Sequence, residues 1–325
     1  MKTNFKNIGL VFLATIALVS CNNDDEMAST PPSAAEFTAI TKDALTGKTQ
    51  KFTATAGSGT ISLTSAKGVS ITINGNALTK NGSPVTGPID ITYVELFDKG
   101  SMLVTNKPTM GIKTDGSHAM LKSGGEFFIK ASQGGVDLKT TANIILNVPN
   151  TLTGGRDALM TLWEGVIDTK DELAWKDARD ATGANGVKGG VEAMQNGYYV
   201  SFGNFGWTNV DRFYSDPRPK TSILVGAPEG YDNSNSAIYL SYDGEGTNAL
   251  AKLDTFTAAG LFSEHYGQIP VGLACHIIFV TEENGQWKYA IKGVTVATGA
   301  IYNFTLAETS IGTEAQLIAA INAIQ

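Results

Sequence analysis

Residues able to carry covalent or acid–base chemistry are few in this 325-residue chain, and they are widely spaced. The three histidines, His118, His265 and His276, make neither an HExxH pair nor any two-histidine spacing that would put two ligands on one face, so no zinc or metalloprotease site is expected. His276 adjoins Cys275, but neighbours on an extended strand point to opposite sheet faces and would share neither a metal nor a proton. The run Val271–Val280 has a buried-strand composition, which makes Cys275 a packed, unreactive thiol. A Gly-x-Ser-x-Gly elbow, a Ser-x-x-Lys arrangement with its partner motifs and a phosphate-binding Gly-x-x-x-x-Gly-Lys loop are all missing from the sequence. Asp90, Glu95, Glu126, Asp211 and Glu264 are the carboxylates best suited to acid–base work. Spacing between strands does not show any two of them at the separation a glycosidase uses, and they read as solvated strand-face carboxylates. The chain is therefore expected not to be an enzyme, with a hydrolase trailing the binding readings below.

Binding chemistry is better represented. Tyr231–Ser236 and Ser241–Gly246 offer oxygen ligands in turn-like stretches, so calcium is the one ion the sequence could accommodate. Neither stretch has the spaced acids and terminal glutamate of a dedicated calcium loop, and both read equally well as Asx-rich turns, so no cofactor is expected. Among the aromatics, Trp175, Trp207, Tyr214, Tyr231 and Trp287 could stack on sugar rings or fill an interface. Trp207 and Trp287 sit in strand patterns and read as core, whereas Trp175 lies in a polar stretch and reads as exposed. Trp175, Trp207, Asp211 and Tyr231 are the candidate ligand-facing residues.

Cys21 stands apart. Lys2 and Lys6 form a positive start, Ile8 to Val19 an apolar run too short to span a membrane, and Asn22 to Glu26 an abrupt polar stop. The stretch Leu18-Val19-Ser20-Cys21 resembles a bacterial lipobox, which implies cleavage after Ser20 and acylation of the Cys21 thiol. At about 0.8 kcal/mol per buried methylene, the acyl chains of such a lipoprotein hold it at the membrane essentially permanently. The acids Asp24, Asp25 and Glu26 resemble the signal that sends lipoproteins of the Bacteroidetes group to the outer face of the outer membrane. Cleavage removes Lys2 and Lys6, lowering Lys+Arg from 24 to 22 against 31 Asp+Glu and moving the formal charge from −7 to −9. So acidic a protein lacks the clustered cations that nucleic acid requires, and nucleic acid binding is excluded as its main role. With Cys21 lipidated only Cys275 remains, so no intrachain disulfide is expected and stability must come from the core.

Beyond a tether of small and polar residues (21–35), alternation dominates. Lys51–Thr55, Thr60–Thr64, Val69–Ile73, Ile89–Val94, Glu126–Ala131, Val136–Lys139 and Asn143–Val148 each place apolar side chains on one strand face. Asn74-Gly75, Asn81-Gly82, Asp115-Gly116 and Gly124-Gly125 punctuate them as turns. Pro149 to Arg156 is the expected boundary between an N-terminal domain (36–150) and a C-terminal one (151–325). The latter carries a polar insertion at 168–190, strands at Tyr198–Phe202, Ser222–Val225, Ala237–Tyr242, Cys275–Val280, Trp287–Lys292 and Gly293–Ala297, and a closing helix at 313–325. That helix is announced by the capping box Thr313-Glu-Ala-Gln316 and by Leu317, Ile318, Ile321 and Ile324 at helical spacing. The fold class is all-β, mainly antiparallel, as two β-sandwich-like domains with a short C-terminal helix.

The residues Gly68–Leu78, Val85–Tyr93 and Leu121–Ser132 resemble ZU5-like β-sandwich domains of Bacteroidetes surface lipoproteins. Asn74 and Gly75 stand where that pattern has proline. Gly206-Trp-Thr-Asn-Val-Asp-Arg-Phe213 resembles a block found in uncharacterised lipoproteins of the same group. The ZU5-like resemblance implies a domain that mediates contacts, whereas the Gly206–Phe213 block supports lineage and carries no established function. The resulting expectation is a lipid-anchored protein on the exterior of the bacterial outer membrane that binds another envelope protein as an accessory subunit. The alternative is a glycan-capturing lipoprotein of a nutrient-uptake system.

Overall fold

The computed structural model describes residues 30–168, 172–182, 186–246, 248–264 and 267–324. Ser20, Cys21, Asp24, Asp25, Glu26 and His265 lie outside them. The chain is all-β, with α1 (Ala34–Gly47), α2 (Lys99–Val104) and α3 (Glu314–Asn322) as its α-helices among the described residues. The alternating runs form strands because side chains at i and i+2 share a face, and burial selects the apolar face. The strand Ser70–Asn74, for example, buries Ile71 and Ile73 and leaves Thr72 half-buried between them.

Four sheets stack with three apolar layers between them. The outermost is the antiparallel set Gly190–Ala193, Gly197–Phe202, Ile144–Pro149, Ser70–Asn74 and Thr60–Thr64, in that order. It faces a larger sheet across a core that includes Ile71, Leu146, Val200, Phe127, Ile129 and Val210. A second core, including Trp163, Trp175, Trp207, Tyr239 and Ile278, separates that larger sheet from one built on Ser236–Tyr242, Ala274–Glu283 and Gln286–Thr295. The opposite face of the latter buries Leu240, Cys275 and Phe279 against Val225 and Phe262 of a fourth, smaller sheet.

The larger sheet closes on itself. From the long strand His118–Gln133 the order runs through Gly206–Phe213, Thr161–Ile167, Leu173–Asp177 and Met110–Ile112, and the last pairs back with His118–Met120. Cross-strand partners share a face, so Phe128, Trp207, Gly165, Trp175 and Gly111 all point to the same side of this ring. The glycines make room there: a Cβ on Gly165 would sit 2.5 Å from the Trp207 Cβ. Gly124-Gly125, expected as a turn, lies inside the long strand. Gly125 takes φ +128° with Phe97 and Phe127 packed where a side chain would be, and beyond it the strand, still paired with residues 206–209, also pairs with Gly87–Leu96.

This topology moves the expected boundary at 150. The strand His118–Gln133 pairs with Gly206–Phe213, and Ile144–Pro149 pairs with Gly197–Phe202, so the first sandwich runs on to about Phe213. Pro31–Gln325 is one compact unit. The polar insertion 168–190, read as a loop or short helix, contains the strand Leu173–Asp177, which completes the ring. The helix α3 forms as its capping box predicts, with the Thr313 side chain accepting from the Gln316 N–H. The helix α1 was not anticipated, although Ser33-Ala-Ala-Glu36 makes the same capping box and Phe37, Ile40 and Ala44 supply an apolar stripe.

α2 and α3 dock through polar atoms. Asn322 Oδ1 accepts from the Gly100 N–H at 2.9 Å while its Nδ2 donates to Asp98. A Cβ on Gly100 would meet the Ile318 carbonyl at 2.7 Å, so the close approach requires glycine. Lys99 is fully buried, and its Nζ donates to Ser241 Oγ at 2.9 Å and to the Ile324 carbonyl at 2.8 Å. Burial pulls the Lys99 ammonium below its usual range, partly offset by Asp243. Lys99→Met strands two buried acceptors and is expected to lower stability by about 1–3 kcal/mol, read from the urea unfolding midpoint.

Candidate binding groove

All four expected ligand-facing residues are buried. Trp175 is fully buried inside the ring, its Nε1 donating to the Pro108 carbonyl at 3.0 Å, and it meets Trp207 edge-on at 6.3 Å. The expectation of an exposed Trp175 fails because Leu173 and Trp175 alternate as a strand within charged surroundings. Trp207 is core, as its strand pattern indicates. Tyr231 packs edge-on against Phe279 at 5.5 Å in the third apolar layer, away from the tryptophans. Asp211 is buried on the strand beside the ring tryptophans, with its backbone carbonyl accepting from Trp163 Nε1 at 2.8 Å.

The carboxylates separate into three kinds. Asp90 is exposed. Glu95 is buried but fully engaged: its oxygens accept from Ser65 Oγ at 2.7 Å, the Lys67 N–H at 3.0 Å, Gln50 Nε2 at 3.1 Å and Tyr93 OH at 3.2 Å. Burial, reinforced by Glu95, drives the Tyr93 phenol far up. Glu126 and Asp211 are buried and under-satisfied. Neither Glu126 oxygen has a hydrogen-bond partner among the described residues, and Asp211 keeps only Oδ2 engaged, by Asn209 Nδ2 at 2.6 Å. Burial, with Asp211 beside it, pushes the Glu126 carboxyl well above the usual range, against an opposing pull from Lys107. Burial raises Asp211 likewise. Burial of two such acids in a core favours their neutral forms.

Asp232 Oδ1 accepts from the Ser234 N–H at 2.7 Å and Ser234 Oγ at 2.6 Å, an Asx turn. Among the described residues no three His, Cys, Asp or Glu side chains converge as a metal site. Burial lifts the Cys275 thiol to about 12 and keeps it protonated. His276 turns away from Cys275 and meets Asp243 Oδ1 through Nδ1 at 2.8 Å.

An accessible concavity among the described residues lies elsewhere, on the first sandwich. Along the strand His118–Gln133, the neighbour Gly206–Phe213 begins opposite Ile129, while the short strand Val136–Asp137 pairs with Ser132 and Gln133. Between these partners a groove of 620 Å³ opens, lined among others by Phe128, Lys130, Lys139, Asn204, Phe205 and Thr79. Gly206, at φ +129°, turns the chain into its strand at the groove's edge. The Phe128 ring is braced by Trp207 at 5.3 Å, and Phe205 is half-buried against the first core. Lys130 is paired with Asp137 at 2.8 Å, a surface contact worth little by itself. This site is not evident in the sequence. Its one local signal is Phe202-Gly-Asn-Phe-Gly206, an aromatic held in a glycine-flanked turn between two strands.

No protein-family model matches the chain, and no curated protein does. Among solved structures, a gamma-CGTase from alkalophilic Bacillus clarkii is similar at 10% identity over 78% of this chain, with a TM-score of 0.18. The match covers 40% of that protein, so this chain spans less than half of its length.

Proposed function

We propose that the protein is a lipid-anchored binding protein of the outer membrane, held through Cys21 and facing the cell exterior, that contacts another envelope protein as an accessory subunit. The observation that carries this reading is the groove, an accessible concavity on the first sandwich. A body with a concave surface, carried on a lipidated tether, suits a protein that is held at a membrane and binds a partner there. Glycan capture is the second reading, favoured by the two phenyl rings and free polar side chains in the groove.

Pull-down of the lipidated protein in gentle detergent is expected to recover an outer-membrane partner in stoichiometric amount. Glycan-array binding with no stable partner would replace the first reading by the second. Protease treatment of intact cells is expected to cleave the body; a protected body would end the claim of external display.

A further inference from the structure

We propose that the groove takes an anionic saccharide, a short run of sugars bearing carboxylate or sulfate groups, with Phe128 and Phe205 against the sugar faces and Lys139 on the acidic substituent. This inference rests on the glycan-capture reading and gives it a ligand class.

Size comes first. A groove of 620 Å³ falls within the range of about 300–1,000 Å³ typical of small-molecule sites, and its open side allows an oligomer to run through. The walls then narrow the chemistry. Phe128 and Phe205 both line the groove and are only partly buried, and the Phe128 ring is braced by Trp207. Sugars present alternating C–H faces and hydroxyl edges, which call for aromatic surface beside uncommitted polar atoms.

Those atoms are present. The Asn204 amide and the Thr79 hydroxyl line the groove with no side-chain partner among the described residues, while Thr140 and Thr141 spend their hydroxyl protons on the Ala142 and Ala77 carbonyls. A purely lipidic ligand would leave Asn204 and Thr79 desolvated and unpaired, at a cost of about 1–3 kcal/mol each.

Charge decides the rest. Lys130 is neutralised by Asp137, but Lys139 is exposed, lines the same groove and has no acidic partner among the described residues. The groove is thus locally cationic in a chain whose formal charge is −7. An anionic ligand repelled by most of the surface would find its favourable field here. Carboxylate-bearing and sulfate-bearing sugars share this chemistry, and the experiment separates them.

Calorimetric titration of the full chain in detergent micelles would use three probes: oligogalacturonate, a chondroitin sulfate oligosaccharide and a neutral malto-oligosaccharide, at low and high salt. Binding of one or both acidic probes is expected, weakening as salt rises, with the neutral probe much weaker. Lys139→Gln is expected to weaken acidic binding about tenfold, the loss of one charge-assisted contact. Asn204→Ala is expected to weaken it severalfold. Both side chains are exposed, so neither variant should shift thermal unfolding, and Lys51→Gln, on an exposed edge strand, should bind as the parent does. Acidic binding indifferent to both groove variants would overturn the proposal. Equal binding of the neutral probe, reduced by Asn204→Ala and unchanged by Lys139→Gln, would overturn the anionic class while leaving glycan capture standing. No binding of any saccharide would remove both.

Discussion

Glu126→Gln is expected to make the protein progressively more stable than its parent as pH rises from about 4 towards neutrality. In the folded parent the Glu126 carboxyl is fully buried near Asp211 and Lys107 with neither oxygen hydrogen-bonded, and burial raises it well above the usual carboxylate range. The unfolded chain releases that proton near the ordinary glutamate value of about 4.3. A carboxyl raised in the folded state gives stability that is complete below its unfolded pKa. That stability is lost as pH climbs towards the folded value, at about 1.4 kcal/mol per pH unit for the retained proton. Glutamine carries no such proton, so the difference between the two unfolding curves should open at that slope. Asp211→Asn should act in the same direction but by less, because Asp211 Oδ2 accepts from Asn209 Nδ2, and an amide there would lose that bond or have to turn. The two acids lie close enough to influence each other, so the double variant should fall short of the sum. Urea titrations at stepped pH measure this directly. Parallel curves for parent and Glu126→Gln would mean that Glu126 is ionised in the fold.

The same acids mark a limit of what the sequence discloses. Glu126 and Asp211 occupy strands whose alternation is plain, and polar residues on a strand normally read as its wet face. Here the face opposite the first sandwich is also covered, by the second core, so the alternation reports two buried sides of unlike polarity. Strands were legible because their period is local; Ile71, Ile73, Leu146 and Val148 need only their own neighbours to be recognised as inward. Ring closure was not legible. It depends on Met110–Ile112 lying beside Leu173–Asp177, a pairing between segments some sixty residues apart that no local pattern records. The domain boundary failed for the same reason, since Pro149 ends a strand whose partner, Gly197–Phe202, comes nearly fifty residues later. The groove was hidden because it is a gap between the partners of one strand. The residues around it, Lys130, Lys139, Asn204 and Phe205, come from two distant segments and look ordinary in each.

Trp175→Ala is expected to cost about 3–5 kcal/mol, the loss typical of a fully buried large aromatic, out of the 5–15 kcal/mol that holds most domains folded. The indole fills the inside of the ring, touches Trp207 edge-on and satisfies the Pro108 carbonyl, so truncation removes packing and strands an acceptor together. Its neighbours have little freedom to collapse into the void, because the glycines opposite it, Gly111 and Gly165, carry no side chains that could move in. Trp175→Phe keeps most of the volume and should recover most of the loss, leaving the missing N–H as the residue of the effect. Trp175 also lies where the ring shuts, across from Gly111, so the damage should be local before it is global. Amide exchange at Gly111 and Ile112 should accelerate in Trp175→Ala, while Ile71 and Leu146 in the outer sheet stay protected until the whole protein unfolds. Trp175 itself does not line the groove and reaches it only through Trp207 and Phe128, so ligand affinity measured well below the lowered melting temperature should fall far less than stability does. An exposed binding platform would give the reverse pattern, with binding lost and the urea midpoint unmoved, and that outcome would contradict the packing of Trp175 described above.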